Sequence, residues 1–321
     1  MSRSEAPSPQ PERSEPRHPD PGLGTLTVRD YRAVLLRACK EALDDHVTNL
    51  AAALAYYAFL AIPALLLVAV GAFSLFAGPE AVSSIVERLS GVVPREAVTL
   101  IGDALTRTTE QQAGAGVTMA VAGLVLALWS LSGAMQTLMW ALNEAYDREE
   151  TRGFLKRRLT GLVMVVLLLL AFALAFGLLV LGPLVSGWIG SATGAEALVE
   201  WLWWTAQWPI LLLGLLLAFA TILYLGPDVD HPRWSFLTLG TVLAVLVWLA
   251  ASGAFAVYAS NFGSYDKTWG SLAVVIIMLT WLWLSSLALL LGAEVNAEME
   301  RSRELRRGER AEVTLTAPAK G

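Results

Sequence analysis

Six long runs of apolar residues organise the chain, and polar residues break into them only at intervals that match a helix. The runs cover roughly 50–77, 115–141, 159–186, 203–226, 235–258 and 269–297. About 20 helical residues cross the hydrocarbon of a bilayer, so each run predicts one transmembrane helix. The predicted fold is all-α, a polytopic membrane protein with six transmembrane helices occupying residues 29–300. Residues 1–28 hold six prolines and no apolar core, which predicts a disordered tail and no cleaved signal peptide. Residues 301–321 read as a charged second tail.

The polar residues inside the first two spans form stripes. In "LAAALAYYAFLAIPALLL", Asn49, Tyr56, Pro63 and Val70 lie seven apart and share one helix face. Pro63 removes one backbone bond and predicts a kink. The alanines allow a neighbouring helix to approach closely. Tyr57 points about 100° away and is expected only to pack. In the second span Trp129, Gly133, Gln136, Trp140 and Asn143 follow steps of four, three, four and three. Gln136 is costly in hydrocarbon unless bonded, so this stripe is expected to face the bundle interior. Both stripes fit either an inter-helix packing seam or the lining of a polar path.

Charge adds an orientation. The 23 Lys and Arg residues divide into nineteen on the side of the termini and four opposite, at Arg88, Arg95, Arg107 and Lys267. The positive-inside rule then puts both termini in the cytoplasm. The long connection 79–113 carries two apolar stripes with charged opposite faces, which predicts external amphipathic helices. A basic amphipathic helix is expected over 28–47 on the cytoplasmic side. Most of the twelve Trp residues lie near span ends and fit interfacial belts, whereas Trp129, Trp248 and Trp281 fall nearer mid-membrane.

The cytoplasmic side also concentrates candidate chemistry. "NEAYDREETRGFLKRRL" places Glu144, Arg148, Arg152, Arg157 and Arg158 in a short loop, with Glu144–Arg148 spaced as an i, i+4 pair. Glu149 and Glu150 are within reach of Lys156 or Arg157 in this reading. The last span ends "LLLGAEVNAEME", with Glu294 and Glu298 at the inner edge; Glu294 is expected to pair with a cation of the 148–158 loop. On the outer side "YASNFGSYDKTWGSL" brings Asn261, Tyr265 and Gly270 together.

These segments, taken in order with "AAALAYYAFLAIPALLL", resemble the YihY/BrkB family of bacterial inner-membrane proteins over about residues 30–300. The chain departs from the family pattern at Leu239–Gly240, Trp269 and Ala273, where a Pro–Gly pair, a Tyr and a Gly are usual. The resemblance implies a six-span protein of the bacterial inner membrane and brings no established activity. Members have carried the label ribonuclease BN, and others have been linked to virulence or envelope resistance.

The residues themselves do not support a nuclease. Metal-dependent hydrolysis needs clustered ligands, yet His18, His46 and His231 are scattered and Cys39 is the only cysteine. No metal, cofactor or catalytic residue is expected, and no basic, aromatic surface tracks a nucleic acid. Two classes remain. One is a transporter or flippase-like protein for a lipid or envelope amphiphile, since mid-membrane charge is scarce. The other is a non-transporting scaffold or envelope-integrity factor. Membrane lipids are the expected partners in both, with self-association compatible with either.

Overall fold

The computed structural model describes residues 28–76, 115–229, 238–261 and 271–307. Among these every regular element is helical. They are α1 (Val28–Asp44), α2 (Val47–Phe76), α3 (Ala115–Ala145), α4 (Phe154–Phe176), α5 (Gly182–Thr193), α6 (Glu196–Leu225), α7 (Leu239–Asn261) and α8 (Ser271–Arg307). A π-helical turn, Gly177–Leu181, joins α4 to α5 without a break. Residues 301–307 of the expected C-terminal tail continue α8, whereas residues 1–27 and 308–321, the 79–113 connection, Tyr265 and Gly270 lie outside the described residues.

Among the described residues four segments are long and apolar enough to cross a membrane: Phe154–Leu179, Glu196–Leu225, Leu239–Tyr258 and Val275–Ser302. α2 and α3 are 30 and 31 residues long, and α2 runs past Pro63. The helix that carries the third predicted span is longer than that span at both ends. The helix starts at Phe154 and, through the π turn and α5, continues to Thr193. Gly182 keeps it whole while letting α6 approach: the Trp203 indole occupies the space a Cβ would need. Gly194 ends it in the left-handed region at φ 71°, the usual helix C-terminal device.

The helices close a ring in the order α2, α3, α4, α6, α7, α8 and back to α2. α8 also touches α3 and α6, which draws it inward. α5 packs on α6, and α1 lies along α8 through buried Val34, Ala38 and Ala42. Small residues set the tightest crossing. Gly240 of α7 meets Gly292 of α8, and a Cβ on Gly292 would stand 2.6 Å from that of Ala244. Close approach of backbones through small residues is how apolar helices associate in lipid, where hydrophobicity alone favours no partner.

Burial is concentrated at one end of the bundle, here termed the base. There the α1–α2 and α3–α4 turns and the end of α6 meet the C-terminal half of α8. Met139, Leu142, Tyr146, Leu290 and Ala293 are fully enclosed at that level. Away from the base the packing loosens. α8 from Ile277 to Leu287 is half-buried at every position, so no face of it is sealed.

Candidate functional site

Two polar clusters and an aromatic seam occupy the bundle. The first cluster laces the α3–α4 turn to the end of α6. Arg152, only 4% exposed, donates from Nε and Nη2 to Glu150 at 2.6 and 2.7 Å. The same guanidinium donates to the carbonyls of Leu225 and Gly226 at 3.1 and 2.7 Å. It therefore caps the C-terminus of α6, where the helix dipole favours a cation. Asp228, fully buried, lies 3.6 Å from Arg152 Nε and accepts from the Thr151 N–H at 2.8 Å. Asn143 completes the lacing: its Nδ2 donates to Glu150 at 3.0 Å and its Oδ1 accepts from the Asp228 N–H at 2.7 Å. Burial works against ionisation of Glu150, but the hydrogen bonds from Arg152, its charge and the Asn143 bond outweigh it and hold the carboxyl below its usual range.

The second cluster joins α1, α8 and two tight turns. Glu298 accepts from Arg37 at 2.9 Å and from Arg301 at 2.6 Å. Arg301 also reaches Glu41 at 3.1 Å and Asp147 at 2.6 Å. Arg37 donates a further bond to Ser302 at 2.8 Å. The turns that deliver Asp45 and Asp147 carry His46 and Asp147 at positive φ, 54° and 50°, a conformation more accessible to Asp and His than to most residues. Asp147 is held above the carboxylate range by burial, which Arg301 offsets in part.

Asp45 is pushed up to about 6 by burial first, then by the charges of Asp147, Glu41 and Glu144. A carboxyl raised in the folded state lends stability that is complete below its unfolded pKa and is lost as pH rises through about 6. Asp45→Asn is therefore expected to flatten the pH profile of thermal unfolding between about 4 and about 6 and to melt higher than the parent at neutral pH. A profile that keeps the parental slope excludes this assignment.

The sequence-predicted residues separate in the structure. Asn143 is buried in the base cluster, and Gln136 is half-buried on α3. Asn49, Tyr56 and Trp140 are exposed, Tyr56 by 56%; α2 instead buries Val47, Ala51, Leu54 and Ala55. Val47, Ala51, Leu54 and Ala55, not Asn49 and Tyr56, face the neighbouring helices. Tyr57 is also exposed and meets Tyr56 edge-on, their centroids 5.6 Å apart. Trp129 is 54% exposed and covered on one side by Arg158, whose guanidinium stands 3.9 Å from the ring centroid. Arg158 also donates to the Trp129 carbonyl at 2.6 Å. Asn261 ends α7, and Arg148 donates its N–H to the Asn143 carbonyl at 2.9 Å.

Two expected pairings need correction. Glu294 does not meet a cation of the 148–158 loop: its Oε1 is buried with no hydrogen-bond partner. Glu298, one turn on, takes the cations, and they come from α1 and α8. Glu150 bonds Arg152 rather than Lys156 or Arg157, because two residues of turn bring guanidinium and carboxylate face to face. Arg37, Glu41, Asp147, Asp228 and Arg301 were all missed. An acid directly after a helix end, as in "YLGPD", and a cation three residues past Glu298 were the available signals.

Toward the open end of α8 the polar groups are uncharged. Trp248 donates to Ser285 at 3.0 Å, Trp281 to Ser252 at 3.3 Å, and Trp283 to the Thr48 carbonyl at 3.1 Å. Phe219 and Trp281 flank the Trp248 ring, with centroids 6.3 and 6.0 Å away. Each indole N–H is satisfied, and the ring faces are left for apolar contact.

A family model described as virulence factor BrkB matches residues 38–314, which takes in the first base cluster, the aromatic seam and all of the second cluster but Arg37. The chain belongs to the virulence factor BrkB family. Among BrkB-family relatives it is 27% identical over 302 residues to a UPF0761 membrane protein of Alteromonas mediterranea, covering 88% of this chain and 92% of that one. It is 29% identical over 212 residues to the ribonuclease-like protein YfkH of Bacillus subtilis, covering 66% and 76%. A UPF0761 membrane protein of Cronobacter sakazakii is 28% identical over 285 residues, covering 84% and 89%. No solved structure matches the chain. Among the described residues no group of three or more His, Cys, Asp or Glu side chains is placed to hold a metal ion.

Proposed function

We propose that this BrkB-family protein is a six-span transporter of the flippase type, moving a lipid-like amphiphile across the bacterial inner membrane, with both termini in the cytoplasm. The observation that carries this reading is the stretch Ile277–Leu287 of α8, half-buried on every face. A helix on the rim of a solid bundle alternates buried and exposed positions, and a central helix in a tight one is buried all round. α8 does neither. It is a member of the ring, drawn inward against α3 and α6, yet it is unsealed, and its polar contacts there are indoles and hydroxyls. Such a lining suits a molecule with a long apolar body and places no fixed charge against it. A path for a small ion more usually holds mid-membrane acids or bases. The laced base would close one end. The nineteen basic residues on the side of the termini support the orientation.

The nuclease word in the name of YfkH is not adopted for this chain, whose three histidines are spread over a tail and two helix junctions. The scaffold reading predicts a dry interior, and water access separates the two. In a Cys39→Ser background, Thr280→Cys and Ser285→Cys are expected to react with a membrane-impermeant maleimide, as Glu149→Cys on the exposed turn does. Inert 280 and 285 positions beside a labelled 149 position would favour the scaffold.

A further inference from the structure

The base holds an acid that the proposed transport path does not use. Glu294 is 2% exposed, and its Oε1 has no hydrogen-bond partner. Four acids bear on it: Glu41 of α1, Asp45 of the α1–α2 turn, Asp147 of the turn after α3 and Glu298 of α8 itself. Arg37 and Arg301 are the guanidiniums paired with these acids among the described residues, and both are committed elsewhere. Arg301 is spent on Glu41, Asp147 and Glu298, and Arg37 on Glu298 and Ser302. The described parts of α2 and α7 offer no basic side chain, only the distant Tyr56, Tyr57 and Tyr258.

An ionised carboxylate enclosed in this way has almost no solvent and, among the described residues, no counter-ion, a cost of several kcal/mol that proteins avoid by binding a proton. A metal ion would serve equally, but the surrounding carboxyls do not converge: no three acidic side chains among the described residues are placed to share one. Glu41 and Asp45 are partly solvent-accessible and Asp147 is exposed, and all three are near enough for their charges to bear on Glu294.

We propose that Glu294 is a proton-binding site at the base of the bundle, exchanging its proton with solvent by way of Asp45 and Asp147. Uptake forms one O–H bond on the Glu294 carboxylate with a proton taken from water. Release returns the proton to water beside the two aspartates, and no other bond changes. The site binds its proton whether or not the α8 interior carries a substrate, since it uses none of the same side chains.

Infrared difference spectra of the full-length protein in lipid nanodiscs, stepped between about pH 5 and about pH 9, test this directly. The expected result is a protonated-carboxyl stretch that downshifts in heavy water, is absent from Glu294→Gln, and persists in Glu41→Gln. Asp45→Asn should retain the band and lower the pH at which it disappears, because a neighbouring negative charge is gone; a merely structural Asp45 would leave that pH unchanged. If Glu294→Gln fails to fold, the Asp45→Asn shift in otherwise native protein decides. A band that survives in Glu294→Gln overturns the assignment. So does its absence from the parent protein together with thermal stabilisation by sodium or potassium chloride beyond that given by choline chloride.

Discussion

Arg152→Ala is expected to destabilise the protein by about 3–5 kcal/mol, the usual cost of stripping one partner from a buried ion pair. The loss is large because three sets of acceptors depend on that guanidinium: the Glu150 carboxylate, the Leu225 and Gly226 carbonyls, and Asp228, which has no exposure to water. Removing the charge leaves Asp228 buried against its own neighbours. Arg152→Lys keeps the charge but loses the forked geometry, so its loss should be intermediate. Adding Asp228→Asn to Arg152→Ala should recover part of the stability, since the orphaned charge goes with it. Thermal unfolding in mild detergent measures all three. Equal melting of Arg152→Ala and the parent would mean that the lacing contributes nothing.

Gly240→Val carries the second large effect. A Cβ at that position would collide with the Gly292 carbonyl oxygen and stand 2.5 Å from Asn296 Oδ1. Neither neighbour is the tip of a flexible side chain: one is backbone, and the other is held by the bond it accepts from the Gly240 N–H at 3.1 Å. α7 and α8 must separate, breaking the tightest helix crossing of the base. A loss of about 3 kcal/mol, the upper end of what overpacking costs, should appear as a fall in monodisperse protein on gel filtration. Gly253→Val, at an exposed point of the same helix with nothing within 4 Å, is the control and should behave as the parent.

The helices were legible in the sequence because apolar runs report transfer into hydrocarbon, and that is what a bilayer selects. Their ends were less so. The helix of the third span runs on to Thr193, past the end of its 159–186 apolar run, because a π turn at Gly177–Leu181 absorbs an irregularity, and hydropathy carries no trace of it. The face of α2 was read from its polar residues, yet the packing face is Val47, Ala51, Leu54 and Ala55. In lipid the close-fitting surface wins the interior, and Tyr56 is left outside. Asn143 was placed correctly as buried but assigned to a membrane stripe; it belongs to the turn network, whose partners lie 85 residues away at Asp228. Long-range pairing of this kind has no local signature. Glu294 and Glu298 look alike in sequence, and only the approach of α1 decides which of them receives Arg37.

A bundle laced at one end and loose at the other has the mechanics of tongs. The base, tied across α1, the α3–α4 turn, the end of α6 and α8, acts as the pivot. The 30-residue arms α2 and α6 reach about 45 Å from it. A tilt of about 5° at the pivot moves an arm's tip by about 4 Å over that length. Small rearrangements of charge at the base are thus geared into wide excursions at the opposite membrane face, without any helix having to bend.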